Sequence, residues 1–440
     1  MAIINVKGTH DIIGKEADLY SEVESVMKNV AKQFAYLEVR PPVLEHSELF
    51  IRGVGESSDI VRKEMYTFLD KGDRSLTLRP EFTAGIMRMV VQNKLYATND
   101  LPLKYYYLGP VFRYERPQLG RYRQFNQFGI ELVGGTTAFY DVEVISLAYD
   151  ILQMLRLSNV VIKINTLGDE ESRNNYREAL KNFFKDKIDN MCEDCHKRYE
   201  LNPLRILDCK VPEDIEIVKN APKMSDYLSE GSKKRFNEVL SLLDKLNIPY
   251  EVDDSLVRGL DYYSETVFEF HYTSQNGNNY GAIGAGGHYS HLVKEVGGPD
   301  LPGVGFSFGV ERIVSVLKDD DILNEEKLNQ YIDFYVMPMG EENMSYAYEV
   351  AMKLRRLDFS VDICLEKAKF AAMFKRAEKR NAKFAVIIGE NEVKDNKIVI
   401  KNLANQKQVE LPLDKLFSDI YDIYNEAFDC ENCLENCEGK

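Results

Sequence analysis

The sequence predicts two units of different class: an α+β domain built on a mostly antiparallel sheet flanked by helices, interrupted by a helical insertion, and then a small α/β domain. Three observations predict this. Short runs rich in β-branched and aromatic residues recur between residues 65 and 133 and return after residue 264. Residues 168–247 are polar and helix-like, without strand alternation. After residue 330, apolar runs alternate with helix-length segments, the pattern of a largely parallel sheet. A chain of 440 residues is also too long for one core.

Residues 16–36 read as an amphipathic helix, and LEVRPPVLE around Pro41 and Pro42 as an extended segment. MYTFL, SLTLR, YYYLG, FNQFGIELV and VVIKINTLG read as strands, with helices at about 82–95 and 140–156. TVFEFHY and YGAIGAGG resume the sheet, and a helix is expected from near Phe306. KDDDILNEEKLNQ (318–330) reads as a linker. Beyond it, DFYVMPM, FSVDICL and FAVIIG are strands separated by helices of about 12–16 residues. DCENCLENCEGK is an acidic tail.

Hydrophobic residues make up 44% and charged residues 29%, an ordinary globular balance. No apolar run reaches the roughly 18 residues of a membrane span. The opening MAIINVKGTHDIIG lacks the apolar centre of a secretory signal. Seven cysteines, an odd number in a large chain, fit reduced thiols in a cytoplasm better than a disulfide framework. Cys192 and Cys195 form a C-x-x-C with His196 adjacent and Cys209 beyond. With no second close pair this is a weak zinc signature, and no metal ligand is assigned. Cys430, Cys433 and Cys437 lie in the tail, where metal binding and disorder are equally open. A net charge of −15 argues against a generic nucleic-acid coat. It leaves room for local basic patches, and residues 366–383 form one, with seven basic and two acidic side chains.

Five segments carry chemistry. GPVFRYERPQLGRYRQFNQFGIELV (109–133) is two strand-like runs joined by a loop dense in arginine, able to offer guanidinium forks to phosphates. Glu115, Gln127 and Glu131 add acceptors for an ammonium or a base amine, and Phe125 a ring for stacking. LVRGLDYYSETVFEF (256–270) gathers Arg258, Asp261, Tyr262 and Tyr263 beside a strand, as a pocket wall does. GAIGAGGHY (281–289) and GVGFSFGVER (303–312) fit neither a dinucleotide fingerprint nor a P-loop, and read as glycine-rich packing turns. In SLTLRPEFTAG (75–85), Glu81 sits at a helix start, where a carboxylate caps the helix or holds an ammonium.

Together these segments resemble the histidyl-tRNA synthetase family. FRYER…F is similar to motif 2 of the class II synthetases, GVGFSFGVERIV to motif 3, and VRPPVLEHSELF, with Pro42, to motif 1. TLRPE, RGLDYY, GAGGHY and RYRQFNQFGIE resemble segments of the histidyl branch, and the likeness runs from KGTHD to near residue 411. It implies a class II catalytic domain at 1–325 with a helical insertion at about 168–247. It further implies an anticodon-binding α/β domain at 331–424, leaving a tail at 425–440. The implied activity is ATP-dependent formation of histidyl-adenylate and transfer to the 3′ end of tRNA(His), by a cytoplasmic homodimer using Mg²⁺ with ATP.

The family's roles carry over where residues match. Arg113 and Arg258 would grip the α-phosphate and the substrate carboxylate from opposite sides. Glu115 would read the adenine amine and Phe125 stack on adenine, with Arg121 and Arg312 on the β- and γ-phosphates. Glu81, Thr83 and Gln127 would hold the α-ammonium. Glu131 and Tyr263 would bond the imidazole, with Tyr262 shaping that pocket. Arg116 and Gln118 would approach the acceptor end of tRNA, and the basic stretch at 367–383 would face RNA phosphates.

The chain departs from the family pattern at His288, Ser290 and His291, where Arg, Asp and Gly are usual, and at Phe82, where Gly is usual. Both segments are expected to border the amino-acid site, and His288 and His291 are read as loop histidines rather than metal ligands. Two alternatives share the fold. One is a histidine-binding regulatory subunit of ATP phosphoribosyltransferase; the other is a synthetase-like enzyme with another amino acid or acceptor. Retention of the last domain and of Arg113, Arg258 and Arg312 favours the synthetase.

Overall fold

Two ten-residue runs of aromatic and aliphatic side chains, at 103–112 and 124–133, pair as an antiparallel hairpin and found the central sheet. The computed structural model describes residues 3–55, 58–97, 100–115, 120–323 and 331–426. It divides between residues 325 and 326 into two units.

In the first unit, α1 (Lys15–Gln33) precedes β1 (Leu37–Glu38), β2 (Leu44–His46) and α2 (Ser47–Val54). β3 (Tyr66–Leu69), β4 (Ser75–Leu78) and α3 (Thr83–Gln92) follow, then β5 (Leu103–Phe112), β6 (Gln124–Val133), α4 (Ala138–Met154) and β7 (Val160–Thr166). The insertion holds α5 (Glu170–Phe184), α6 (Glu193–Leu201), α7 (Pro212–Val218) and α8 (Glu230–Lys245). Asp169 and Ser229 start α5 and α8 by accepting the Ser172 and Ser232 amides. The chain then returns to the sheet through β8 (Tyr250–Val252), β9 (Ser264–Thr273), β10 (Asn279–Tyr289), α9 (Leu292–Glu295), β11 (Gly303–Gly309) and α10 (Val310–Asp319).

The main sheet has eight strands among the described residues, in the order β1-β5-β6-β11-β10-β9-β7-β8. Only its two edge pairs, β1–β5 and β7–β8, are parallel. Period-two alternation gives the sheet two characters. On β6, Phe128, Ile130 and Leu132 are fully buried, and α1, α4 and α10 pack on this strand. Gln127 and Glu131 point instead into a cavity on the other face. Tyr107 of β5 lies opposite Gly129, where an added Cβ would meet its hydroxyl at 2.3 Å.

Two expectations need correction. The helix expected near Phe306 begins at Val310, because GVGFSFG is an interior strand. A short apolar run buried on both faces does not reveal its period. GAIGAGGHY likewise lies within β10 rather than forming turns. Its glycines keep the strand thin: a Cβ at Gly284 would meet the Phe308 ring at 2.1 Å.

In the second unit, β12 (Ile332–Pro338), α11 (Met344–Arg355), β13 (Val361–Ile363), α12 (Phe370–Lys379) and β14 (Ala382–Ile388) form two right-spaced crossovers. α13 (Glu390–Lys394), β15 (Lys397–Asn402), β16 (Gln408–Pro412) and α14 (Leu416–Glu426) complete it. The sheet order is β13-β12-β14-β15-β16. β13, β12 and β14 are parallel, as the sequence suggests, whereas β15 and β16 are antiparallel. Their lysines and glutamates disguise that hairpin. The basic stretch includes α12, where Arg376 and Arg380 lie 3.7 and 3.5 Å from Glu366 and Asp362. No helix among the described residues is long and apolar enough to cross a membrane.

Candidate active site

One face of the main sheet holds a cavity of about 550 Å³. Its inner end is built from α3, β5, β6 and β10. Pro80 ends the preceding segment, and Glu81 turns its carboxylate onto the Thr83 and Ala84 amides at 2.5 and 3.0 Å, capping α3. The cap reading of Glu81 therefore holds, and the same carboxylate lines the cavity. Burial pushes its pKa up against the pull of those amides.

Glu131 lies at the floor. Its Oε1 accepts from the Thr83 hydroxyl at 2.6 Å and its Oε2 from the Tyr289 hydroxyl at 2.7 Å. Burial pushes its pKa up to about 8, more than these two bonds pull it down. Gln127 has a buried Oε1 with no hydrogen-bond partner among the described residues. Tyr262 and Tyr263 close the wall, their rings 4.6 Å apart. Burial holds the Tyr107, Tyr262, Tyr263 and Tyr289 hydroxyls above their ordinary range, so they stay neutral donors.

The outer end is rich in arginine. Arg113 stands where β5 ends: its amide donates to the Arg123 carbonyl at 2.9 Å and its Nε to the Pro80 carbonyl at 2.8 Å. Its guanidinium sits 5.4 Å from the Phe125 ring centre. Glu115 lies 4.0 Å from Arg113 and 3.6 Å from the half-exposed Arg121. Arg312, in the first turn of α10, donates to the Ala282 carbonyl at 2.6 Å. Burial, then the Arg121 charge, lowers its pKa. Arg258 is ion-paired with Glu269 of β9, and its buried Nε has no partner among the described residues. Burial opposes ionisation of Glu269, but His271 and Arg258 together hold it below the usual carboxylate range.

The twelve described residues that the resemblance gives a site role line this one cavity: Glu81, Thr83, Arg113, Glu115, Arg121, Phe125, Gln127, Glu131, Arg258, Tyr262, Tyr263 and Arg312. Asp261, read with the same pocket wall, does not line it and bonds Asn202 and Arg205 instead. Arg116 and Gln118 lie outside the described residues, as do Cys430, Cys433 and Cys437. The sequence reading missed Tyr107, Tyr289 and Glu269. Their signal was strand alternation, which puts Tyr107 on the same face as Glu131's partners.

The two departing segments border the cavity through Glu81, Thr83 and Tyr289, but the departing side chains turn away from it. Phe82 does not line the cavity; its ring is buried against Tyr107 at 4.3 Å, with the Arg79 guanidinium 3.7 Å from its centre. His288 is not in a loop: it lies in β10, buried, 3.1 Å from Asp141 and 3.3 Å from Arg235. His291 follows the strand and pairs with Asp300 at 2.8 Å. Alternation explains His288, which faces away from the cavity that Ala285 and Tyr289 line.

An antiparallel sheet of this order, with an arginine-bearing hairpin and a glycine-rich strand followed by an arginine helix, defines a class II aminoacyl-tRNA synthetase. The family model for histidyl-tRNA synthetase matches residues 8–313, and that for an anticodon binding domain matches residues 333–422. The histidine–tRNA ligase of Bacillus subtilis strain 168 is 46% identical over 412 residues, covering 93% of this chain and 96% of its own length. That of Thermosipho melanesiensis is 44% identical over 409 residues, with the same two coverages. The apo histidyl-tRNA synthetase of S. aureus superposes with a TM-score of 0.81 at 34% identity, covering 94% of this chain and 98% of that one. The chain belongs to the histidyl-tRNA synthetase family.

Proposed function

We propose that this chain is a histidine–tRNA ligase: it activates histidine with ATP to histidyl-adenylate and transfers the acyl group to the 3′ end of tRNA(His). One observation carries the reading. A single cavity joins an inner end of buried Glu131, Gln127 and tyrosines to an outer end where Arg113 and Arg258 both open. The inner end suits an imidazole and an ammonium; the outer end suits a phosphate in transfer.

In this reading the histidine carboxylate attacks the α-phosphorus of ATP in line and pyrophosphate leaves. The ribose hydroxyl of the tRNA terminus then attacks the acyl carbon and AMP leaves. The protein supplies position and charge rather than a nucleophile. Arg113 and Arg258 stabilise the charge developing on the α-phosphoryl group. Glu115 takes the adenine amine, Phe125 stacks on the base, and Arg121 and Arg312 hold the outer phosphates. Glu81, Thr83 and Gln127 hold the α-ammonium, where the unpaired Gln127 oxygen is a ready acceptor. Glu131 and Tyr263 bond the imidazole, Tyr262 backs them, and Arg116 and Gln118 meet the tRNA acceptor end. Mg²⁺ would come with the nucleotide. Glu115 and Glu269 are already paired with arginines, so phosphate oxygens and water would supply most of its shell.

The catalytic domain spans 1–325 with its insertion at 168–247, the anticodon-binding domain 331–424 and the tail 425–440. The enzyme works as a cytoplasmic homodimer through the VRPPVLEHSELF segment. The test is ATP–pyrophosphate exchange across the amino acids, followed by charging of tRNA(His). Exchange with histidine and charging support the reading. Exchange with a different acid, or none with any, overturns it, and the latter outcome is that of a histidine-binding regulator.

A further inference from the structure

The helical insertion carries a second constellation, remote from the transfer chemistry. The sulfurs of Cys192, Cys195 and Cys209 and a carboxylate oxygen of Asp214 all lie within 4.8 Å of one another. The geometry points to a structural zinc site with these four residues as its ligands. In the sequence His196 is the histidine adjacent to this pair. The structure turns that ring to the Met191 carbonyl at 3.1 Å and brings in Asp214 instead.

Three features of the cluster support a metal. The first is its shape. A tetrahedral zinc with Zn–S of about 2.3 Å and Zn–O of about 2.0 Å sets sulfur–sulfur edges near ~3.8 Å and sulfur–oxygen edges near ~3.5 Å. The Cys192 and Cys209 sulfurs are 3.8 Å apart, and the Cys209 sulfur is 3.1 Å from Asp214 Oδ2. The remaining edges are no longer than 4.8 Å, so shifts of up to about 1 Å close the figure.

The second is burial. Cys195 is 0% and Cys209 6% exposed, within a hydrophobic cluster that includes Tyr176, Leu180 and Ile206, and Asp214 is 1% exposed. A carboxylate sunk among apolar side chains demands a charged partner. Among the described residues Asp214 receives only the Cys192 amide at 3.1 Å and thiols, with no cationic side chain in an ion pair. A Cys192–Cys209 disulfide would use two sulfurs, leaving Cys195 outside it and Asp214 with the Cys192 amide but no cation; a dication engages all four.

The third is the donor set. Cys192 is the N-cap of α6 and Cys195 lies in its first turn, so the C-x-x-C brings both sulfurs to one helix end. Three sulfurs and one oxygen in a closed tetrahedron suit zinc rather than magnesium or calcium, and leave no open position for catalysis. Each thiol gives its proton to solvent as it ligates.

The site would brace the active-site wall. Between Cys195 and Cys209, Asn202 and Arg205 each bond Asp261 at 3.0 Å, and Arg205 also bonds the Gly259 carbonyl. Residues 259–261 follow Arg258 directly. Zinc thus fixes the segment that fixes the loop carrying that arginine.

The test uses the full chain, made without a metal-binding tag and purified under reducing conditions. Elemental analysis should find one zinc per chain. After removal of the zinc, Co²⁺ titration should give thiolate-to-cobalt charge-transfer absorption and intense tetrahedral visible bands, saturating at one ion and reversed by Zn²⁺. Cys195→Ser and Cys209→Ser should each abolish the bands, and Asp214→Asn should weaken Co²⁺ binding by roughly 10-fold or more. Replacing Cys430, Cys433 and Cys437 together with serine should leave zinc content and spectrum unchanged. That tail variant decides the matter even where the insertion variants fail to fold. Loss of the metal with the tail cysteines overturns the proposal. So does zinc-supplied protein with no stoichiometric metal and no cobalt–thiolate band, or a Cys192–Cys209 disulfide in the native chain.

Discussion

The Thr83 hydroxyl donates to Oε1 of Glu131 across 2.6 Å, tying the first turn of α3 to β6 at the floor of the cavity. With Tyr289 on the other oxygen, both donors fix the direction of the carboxyl group. Neither supplies charge, so the group keeps its proton until about pH 8. The floor of the ligand-free cavity is therefore an acid waiting for a partner that makes it ionise.

The consequence for pH is directional. The unfolded chain loses this proton near the ordinary value of 4.5, whereas the folded chain holds it to about 8. The stabilising contribution is thus complete below the unfolded value and lost as pH rises through the folded one. The melting temperature of ligand-free protein should fall across that window relative to Glu131→Gln, which has no proton to lose. Histidine should bind more tightly as pH rises toward 8 and release a proton, because its imidazole N–H needs an ionised acceptor. Calorimetry in buffers of different ionisation enthalpy counts that proton. An identical pH slope in the glutamine variant would refute the assignment.

Gly305 of β11 presses on the same carboxylate: an added Cβ would stand 2.2 Å from Glu131 Oε2 and 2.5 Å from the Ile130 carbonyl oxygen. Gly305→Ala should therefore push Glu131 out of place. A displacement of about 1 Å at a positioning group costs on the order of 100-fold. We expect that loss in kcat/KM for histidine with the KM for ATP nearly unchanged. Gly231→Ala, whose Cβ would meet nothing closer than Ser229 Oγ at 3.7 Å, is the control for glycine replacement itself.

Glu269 acts on the reaction through Arg258. Glu269→Ala should leave the guanidinium buried and free to turn, lowering kcat for adenylate formation by roughly 10- to 100-fold, less than Arg258→Ala itself. Arg258→Lys should not restore the rate, since an ammonium lacks the planar fork that faces phosphate and carboxylate together. Single-turnover adenylate formation measures the step directly; an unchanged rate in Glu269→Ala would show that Arg258 needs no anchor.

Most of the site was legible because its side chains are chemically conspicuous. Arg113, Glu115, Arg121 and Glu131 stand in one hairpin whose alternation also names the cavity face. Tyr107 and Glu269 were hidden by ordinariness: for a tyrosine in a tyrosine run and a glutamate in an apolar strand, alternation names a face of the sheet, but only tertiary structure brings β5 and β9 to one cavity. Asp214 was hidden in another way. It joins Cys192, Cys195 and Cys209 only because two short helices of the insertion start side by side. In the fold, the misread segment was one without a visible period, GVGFSFG, buried on both faces; the hairpin of β15 and β16 carries no assignment from sequence, its apolar residues being few and interleaved with charge. Phe82 and His288 look like pocket changes in sequence, yet their side chains pack away from the cavity.

Arg113 and Arg121 belong to one hairpin but should fail differently when removed. Arg113 is held at both ends of its function, by the Pro80 carbonyl at Nε and by the backbone bond to Arg123. Its guanidinium meets the phosphate already oriented, so its contribution should be greatest where charge develops. Arg113→Ala should lower kcat by about 100- to 1,000-fold, the range for losing one preorganised donor. Arg121 is half-exposed and linked to Glu115 only loosely, at 3.6 Å. Its pull on the nucleotide is screened by water and salt, with a Debye length of about 8 Å at physiological ionic strength. Arg121→Ala should mainly raise the KM for ATP, and that penalty should shrink as salt is added while the Arg113 penalty persists. Pyrophosphate exchange at low and high salt separates the two; equal salt sensitivity would mean that Arg113 acts as a diffuse surface charge rather than as a placed donor.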